Sequence, residues 1–386
     1  MRRELPAVLR VLGLALGWRL FSAALALLAN IVFPMGQPEQ FRVLPRTHLF
    51  WDAFARYDAG WYAGLARSGY TYEPGRPNDF AFFPVYPKLT GYLGTLMGGG
   101  IANYFFAGII VSWVAFLGAM VVLYLLARLD LTEEEATRAV LYSAVFPFAF
   151  FFGVIYAESV FLLFTLWAFY GFRTRGWLIG GLAGGVATAT RPNGIYALPA
   201  VAWIAFTHAR NDRRQAIKAA VAVALFTSGI VLYSLFVYIK TGSPLEWVYS
   251  IQRWNYHPGG IPGVQLVNLI VALGTRPFDY LTTGKTAPYD TLNGLAAIVL
   301  VLSIPGIWWR FGAGYGLFVA ANLWVPLSSG WYEGLGRYCS VLFPFFMLLA
   351  AWSSRLPPAF HSAVLVTFAT LYAICLALFT KVHPLF

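Results

Sequence analysis

The chain is expected to fold as an all-α polytopic membrane protein with about eleven transmembrane helices. Three features predict this. Of its 386 residues, 59% are hydrophobic and 18% aromatic, while only 11% carry a charge; soluble proteins average about 25%. The mean hydropathy is +0.65. The apolar residues also gather into runs that can cross a hydrocarbon core about 30 Å thick, some with help from their flanks.

The runs follow in order. Residues 8–33 come after basic residues, as the core of a signal peptide would, but the run is longer than such a core, contains Arg19 and lacks a small-residue cleavage site. It reads as the first membrane helix. A long loop, about 34–100, leads to runs at 101–127, 139–152, 157–172, 177–189, 195–208 and 217–240. A second long loop, about 241–290, precedes runs at 291–309, 311–328, 338–352 and 360–380. Several are short enough to need local bilayer thinning or broken ends. The hydrophobic connections at 153–157 and 190–194 leave the count open by two without changing parity.

Local signals mark several boundaries. Thr132 to Glu135, "TEEE", is a capping box opening a helix, and "SPLE" at Ser243 to Glu246 is expected to be another, with Pro244 at the first helical position. "GGLAGG" at 180–185 forms overlapping small-xxx-small patterns that favour close helix packing in lipid. Without a preceding strand or an acidic residue at ribose distance, it does not read as a nucleotide loop. Cys339 and Cys375 lie in apolar stretches and are expected to be buried thiols outside any disulfide or metal framework. With no internal repeat, residues 1–386 read as one integral membrane domain.

Basic residues set the orientation. With Arg2, Arg3 and Arg10 cytoplasmic, the same side receives Arg128, Arg138, Arg173, Arg175, Arg210, Arg213, Arg214, Lys218, Arg310 and Arg355. The opposite short connections hold only Arg191 and Arg337, with Lys381 in the terminal tail. Long loops weigh little in this rule, and both fall outside. The net charge of +11, from 27 Lys and Arg against 16 Asp and Glu, suits anionic lipid or a phosphate-bearing substrate, and fits many membrane proteins equally.

The first outer loop has the least ordinary composition. Residues 50–70, "FWDAFARYDAGWYAGLARSGY", set two aspartates among seven aromatic residues. If 51–65 is one helix, Trp51, Phe54, Asp58, Trp61 and Leu65 share a stripe and Asp52 points elsewhere. Asp58 is then either the N-cap of a turn beginning at Ala59 in an interfacial aromatic belt, or a general base drawing a proton from a hydroxyl. Asp52 reads as a solvated or capping residue.

Three further outer segments place polar groups in apolar surroundings: Tyr156 and Glu158 in "IYAES", Arg191 and Asn193 in "ATRPNGI", and Arg337 and Tyr338 in "GRYCSVLFP". An ionisable residue inside an apolar segment costs about 2.5–3.5 kcal/mol on insertion scales and usually marks a site or an ion pair. A structural pair of Glu158 with Arg191, and snorkelling of Arg337 to the interface, are the plainer alternatives. The topology sends all of these groups to the side of Asp58, which favours a shared site. Within "TGSPLEWVYSIQRWNYHPGG", residues 241–260, Gln252, Arg253 and Trp254 combine an amide, a cation and a large ring suited to gripping a sugar or a phosphate. A helix lying on the bilayer has the same composition.

The sequence has no DxD, no P-loop, no HExxH among its five histidines and no GxSxG, which removes the common signatures of nucleotide-sugar, NTPase, metalloprotease and serine-hydrolase chemistry. A lipid-borne substrate reached at the outer face is the remaining expectation, with membrane lipid around the protein and no role for nucleic acid.

"RYDAGWYAGLARSGY" (Arg56 to Tyr70), "AFFPVYP" (Ala81 to Pro87), "FPFAFFFGVIYAESVFLL" (Phe146 to Leu163), "TRPNGI" (Thr190 to Ile195), "TGSPLEWVYSIQRW" (Thr241 to Trp254) and "GRYCSVLFPFF" (Gly336 to Phe346) stand in the order and at roughly the spacing of another group. In these blocks the chain resembles the PIG-V type mannosyltransferases, relatives of the enzyme that adds the second mannose to GPI anchors. It looks like the compact bacterial type. One departure is Tyr57, where the family usually has Trp before its key aspartate.

The resemblance implies a GT-C glycosyltransferase, a multi-pass helical enzyme that uses a polyprenyl-phosphate sugar donor and has a catalytic aspartate in its first outer loop. That role falls on Asp58. By the same matching, Arg191 and Arg337 are candidates for holding the donor phosphate, with Asn193, Tyr156 and Tyr338 beside them and Glu158 orienting an arginine or the sugar. Gln252, Arg253 and Trp254 are candidates for the sugar pocket. The expected reaction moves a hexose, mannose by resemblance, to a hydroxyl of a lipid- or glycan-borne acceptor, with inversion, on the outer face of a bacterial plasma membrane. Asp52, Asp58 and Glu158 leave room for a divalent cation without requiring one, and no metal ligand is named. A transporter or lipid flippase, with polar helix breaks along a substrate path, is the rival from another class; an inactive partner subunit is a second.

Overall fold

The computed structural model describes residues 4–36, 48–254, 256–283, 287–332 and 334–383. Arg2, Arg3 and residues 37–47 of the first long loop lie outside the described residues. Those described form helices, turns and irregular connections, with no strand among them. Helix α1 (Leu5–Val32) precedes the short α2 (Leu49–Asp52), α3 (Ala59–Ser68) and α4 (Val85–Leu96) of the first loop. Next come α5 (Ile101–Ala127), α6 (Glu133–Val145), α7 (Glu158–Arg173), α8 (Trp177–Thr188), α9 (Leu198–Ala209) and α10 (Arg213–Thr241). The second loop holds α11 (Glu246–Arg253), α12 (Val264–Thr275) and α13 (Pro277–Thr283). The chain then runs through α14 (Ala287–Phe311), α15 (Ala313–Leu327), α16 (Leu335–Ser340), α17 (Pro344–Ser353) and α18 (Pro358–Thr380).

Among the described residues, five helices, α1, α5, α10, α14 and α18, are long and apolar enough to cross a bilayer unaided. Helices α8, α12, α15 and α17 are apolar but shorter. Each apolar run read from the sequence overlaps at least one helix, and the chain is a multi-pass membrane protein. Helix α12 was not expected, because its apolar residues lie in a loop punctuated by glycine and proline.

Prolines set the helix breaks that carry polar groups. The residue before a proline is pushed out of the helical region by the ring. Accordingly α6 stops before Phe146, which precedes Pro147 and has ψ 140, and Arg191, which precedes Pro192, is extended at φ −151, ψ 145. The chain then runs through 3₁₀ turns at Ala149–Phe152 and Pro192–Ala197. These breaks place Glu158 at the first residue of α7 and Arg191 at the start of the turn that leads into α9.

The capping box at Thr132 is formed, with the Glu135 amide donating to Thr132 Oγ1 at 3.3 Å and the Thr132 amide donating to Glu135 at 2.9 Å. The one expected at Ser243 is not. Helix α11 starts at Glu246 with Leu245 as an N-cap that makes no side-chain bond. The Glu246 carboxylate is taken by Arg253, and the Ser243 amide donates to Thr241 Oγ1. Both cysteines are buried and free.

The glycines of 180–185 serve close packing. Helix α8 lies against α7 and α10. A Cβ on Gly184 would fall 1.9 Å from the Phe226 ring, and one on Gly229 would fall 1.8 Å from the Gly185 carbonyl oxygen. Gly229→Ala must therefore push two backbones apart and is expected to cost about 1–3 kcal/mol. Thermal unfolding in detergent measures this, and an unchanged midpoint would show that the helices part freely.

Arg19 does not leave the membrane helix. Its guanidinium carbon lies 4.3 Å from the centre of the Phe116 ring, and the residue is buried. A cation over a ring face is attracted by the ring quadrupole, which offsets part of the burial cost.

Candidate active site

The segment 51–65 is not the single helix that would make a stripe of Trp51, Phe54, Asp58, Trp61 and Leu65. It breaks between α2 and α3, where Tyr57 sits in the left-handed region at φ 52. Such a conformation costs of order 1–3 kcal/mol in a side-chain-bearing residue and persists only when its surroundings hold it. Here the Tyr57 hydroxyl donates to the His383 carbonyl at 2.9 Å.

Below the break, Asp52 is neither solvated nor a cap. It is buried and paired with Arg56 at 2.7 Å. Arg56 also donates from Nε to the Thr380 carbonyl at 2.9 Å, and the Asn30 amide donates to the Leu49 carbonyl at 2.9 Å. Helices α1 and α18 thus clamp the loop that presents the next aspartate.

Asp58 occupies the N-cap position of α3, but its side chain does not cap the helix. Its Oδ2 instead accepts from Arg337 Nη1 at 3.0 Å. Its Oδ1 has no partner among the described residues, and the side chain is 33% exposed. The Asp58 amide donates to the Tyr156 hydroxyl at 3.3 Å, and the Tyr156 ring lies 4.6 Å from the Arg337 guanidinium carbon. Tyr156 therefore braces both ends of this pair.

Glu158 joins the second arginine to the first. The residue is fully buried, and its Oε1 accepts from both Arg337 Nε and Arg191 Nη1. Arg191 Nε donates to Asn193 Oδ1 at 3.1 Å, and its guanidinium carbon stands 5.6 Å from the centre of the Tyr338 ring. Arg337 is no snorkelling residue, since its side chain is only 14% exposed. Burial and the facing Arg337 guanidinium push the Arg191 pKa down to about 10, so it remains a cation at neutral pH. Each guanidinium keeps one nitrogen, Nη2, without a hydrogen-bond partner among the described residues.

Asp58, Arg191, Arg337 and Tyr338 line one cavity of about 290 Å³, together with Trp254; Glu158 and Tyr156 lie behind its wall. Trp254 enters from α11's end and meets Trp61 edge to face, with ring centres 5.1 Å apart. Gln252 lines an adjoining chamber together with Asn193 and Tyr338. Arg253 lines neither, because it is paired with Glu246. Sequence reasoning missed Tyr62, Phe82 and Tyr256, which complete the wall. Tyr62 lies one helical turn after Asp58, a spacing that could have found it. Phe82 and Tyr256 carry no such local signal.

The arrangement combines a partly exposed carboxylate with two cations that keep free donors, in a pocket walled by rings. Among the described residues, no three His, Cys, Asp or Glu side chains are disposed to hold a metal ion.

Residues 37–243 match the model of the mannosyltransferase (PIG-V) family. The match takes in Asp58, Tyr156, Glu158, Arg191 and Asn193 but stops short of Gln252 and Arg337. No curated protein matches the chain. Among solved structures, ArnT from Cupriavidus metallidurans bound to undecaprenyl phosphate is similar at a TM-score of 0.50 and 16% identity, covering 95% of this chain and 76% of that one. The Archaeoglobus fulgidus oligosaccharyltransferase in its apo form gives a TM-score of 0.49 at 12% identity, covering 95% of this chain and 55% of that one. The likeness to ArnT carries the fold alone, a helical architecture of the GT-C type.

Proposed function

We propose, from the premise that this chain belongs to the PIG-V mannosyltransferase family, that it transfers mannose from a polyprenyl phosphate to an acceptor hydroxyl with inversion at the outer face. One observation carries the reading: Asp58, Glu158, Arg191 and Arg337, from four separate segments, form one linked cluster, and Asp58 and both arginines line a single cavity. The ArnT structure of similar fold holds undecaprenyl phosphate, which supports a polyprenyl carrier here.

In this mechanism Asp58 Oδ1 accepts the proton of the acceptor hydroxyl as that oxygen bonds to C1 of the sugar. The bond from C1 to the phosphate oxygen breaks on the opposite face, and its electron pair leaves with the phosphate. The free Nη2 donors of Arg191 and Arg337 bind the phosphate oxygens as their charge grows. Guanidinium suits this task because its planar fork matches phosphate. Glu158 offsets the repulsion between the two cations before substrate arrives, and Tyr156 and Asn193 hold Asp58 and Arg191 in place. A lipid-linked or glycan acceptor brings the attacking hydroxyl.

The test is incubation of purified protein with radiolabelled polyprenyl-phosphate mannose and membrane extract. Label is expected to move from the donor to a new lipid or glycan product. Absence of transfer, with solute flux in proteoliposomes, would instead favour a transporter.

The reading needs no metal. Asp52 is engaged by Arg56, Asp58 by Arg337 and Glu158 by two arginines, so each carboxylate already has a cation. Transfer is expected to persist after exhaustive chelation. Loss of activity restored by a divalent cation would overturn this part.

A further inference from the structure

The chamber beside the main cavity has about 160 Å³ of space and shares Pro192, Ile251, Tyr256 and Tyr338 with it. A single water needs only about 10–15 Å³ on such a measure, so the chamber has room for a larger group. Neither Asp58 nor either arginine lines it.

Its walls contain polar groups left over from folding. Asn193 is 3% exposed, and while its Oδ1 is used by Arg191, its Nδ2 has no partner among the described residues. The Tyr256 hydroxyl is buried and makes no well-formed hydrogen bond among them, although the Tyr338 and Ser329 side chains stand near it. The Gln252 amide makes no hydrogen bond to another described residue. Trp247 also lines the chamber, its ring fixed by a 3.0 Å bond from Nε1 to Ser234 Oγ. Buried polar groups are normally paired, so unpaired ones on residues that line a cavity point to a ligand that supplies partners.

We propose that this chamber is the subsite for a neutral sugar ring of the acceptor, and that it selects which acceptor is used. The inference rests on the glycosyl-transfer reading above. A pyranose offers hydroxyls to the amides of Asn193 and Gln252 and to Tyr256, and an apolar C–H face to Trp247. An isoprenoid chain would leave those groups unsatisfied, at the usual cost of burying an unpaired polar atom. A phosphate would find no cation there. The donor hexose is tied through C1 to its phosphate, which the arginines hold in the main cavity. The molecule that reaches from Asp58 into the second chamber is therefore the acceptor.

The test uses the full-length protein in detergent, with radiolabelled polyprenyl-phosphate mannose as donor and membrane extract as the acceptor source, each varied in turn. Gln252→Met and Tyr256→Phe remove a polar group at nearly constant shape. Each is expected to raise the half-saturating amount of extract by roughly threefold to tenfold, the scale of one lost hydrogen bond, with the donor KM unchanged. A rise in donor KM instead would assign the chamber to the donor sugar. If neither constant moves in either variant, the chamber takes no part of the substrates. A wild type that transfers nothing rejects the glycosyl-transfer reading, and this inference falls with it.

Discussion

Asp58→Asn is expected to fold, to bind the polyprenyl-phosphate donor, and to lose about 10²- to 10⁴-fold in transfer rate. The substitution keeps the size of the side chain and an oxygen for Arg337 Nη1, which lies 3.0 Å away. The arginine pair is therefore undisturbed and donor binding persists. The amide lacks a basic oxygen to receive the hydroxyl proton. Initial rates with labelled donor and membrane extract, beside a direct donor-binding measurement, separate the two effects. Near-normal turnover would remove Asp58 as the base, and loss of donor binding with it would move the residue to the phosphate side of the mechanism.

Glu158→Ala should produce the largest loss of stability among single changes at the site, about 3–5 kcal/mol. The carboxylate is fully buried and is the acidic group shared by Arg191 and Arg337. Its removal leaves two desolvated guanidiniums facing each other, and an uncompensated buried charge is costly. Glu158→Gln keeps an acceptor oxygen but not the charge, and should fall between the two. Thermal unfolding in detergent reads both. A polyprenyl phosphate should also raise the midpoint more in Glu158→Ala than in wild type, since its phosphate replaces the missing anion and a ligand stabilises the state that it binds better. Equal midpoints for Glu158→Ala and wild type would mean that the arginines find other partners and that Glu158 does not organise them.

Much of this was legible along the chain. The apolar runs overlap the helices because span length and composition depend on the bilayer and on local residues alone. The breaks before Pro147 and Pro192 follow from the steric effect of a proline on its predecessor, a two-residue matter. "TEEE" became a capping box because its partners are three residues apart. The motif match placed Asp58 by its neighbours in sequence.

Pairing was less legible; apart from the break at Tyr57 and the extra helix α12, the misreadings are of this kind. Asp52 looked solvated although Arg56 stands four residues on, a spacing at which such pairs form; what the sequence did not show is that α18 buries the pair. Arg253 looked free for a sugar, yet it is held by Glu246. "SPLE" had the letters of a cap, but its glutamate had a stronger partner. The cluster itself is an extreme case, since Arg337 meets Asp58 across 279 positions and Glu158 across 179. Sequence by itself determined where the helices lie, where they break and which aspartate matches the family. Only the tertiary structure decided which distant charges face each other at the site, because such a salt bridge depends on the helix packed alongside, and that neighbour is chosen by the whole fold.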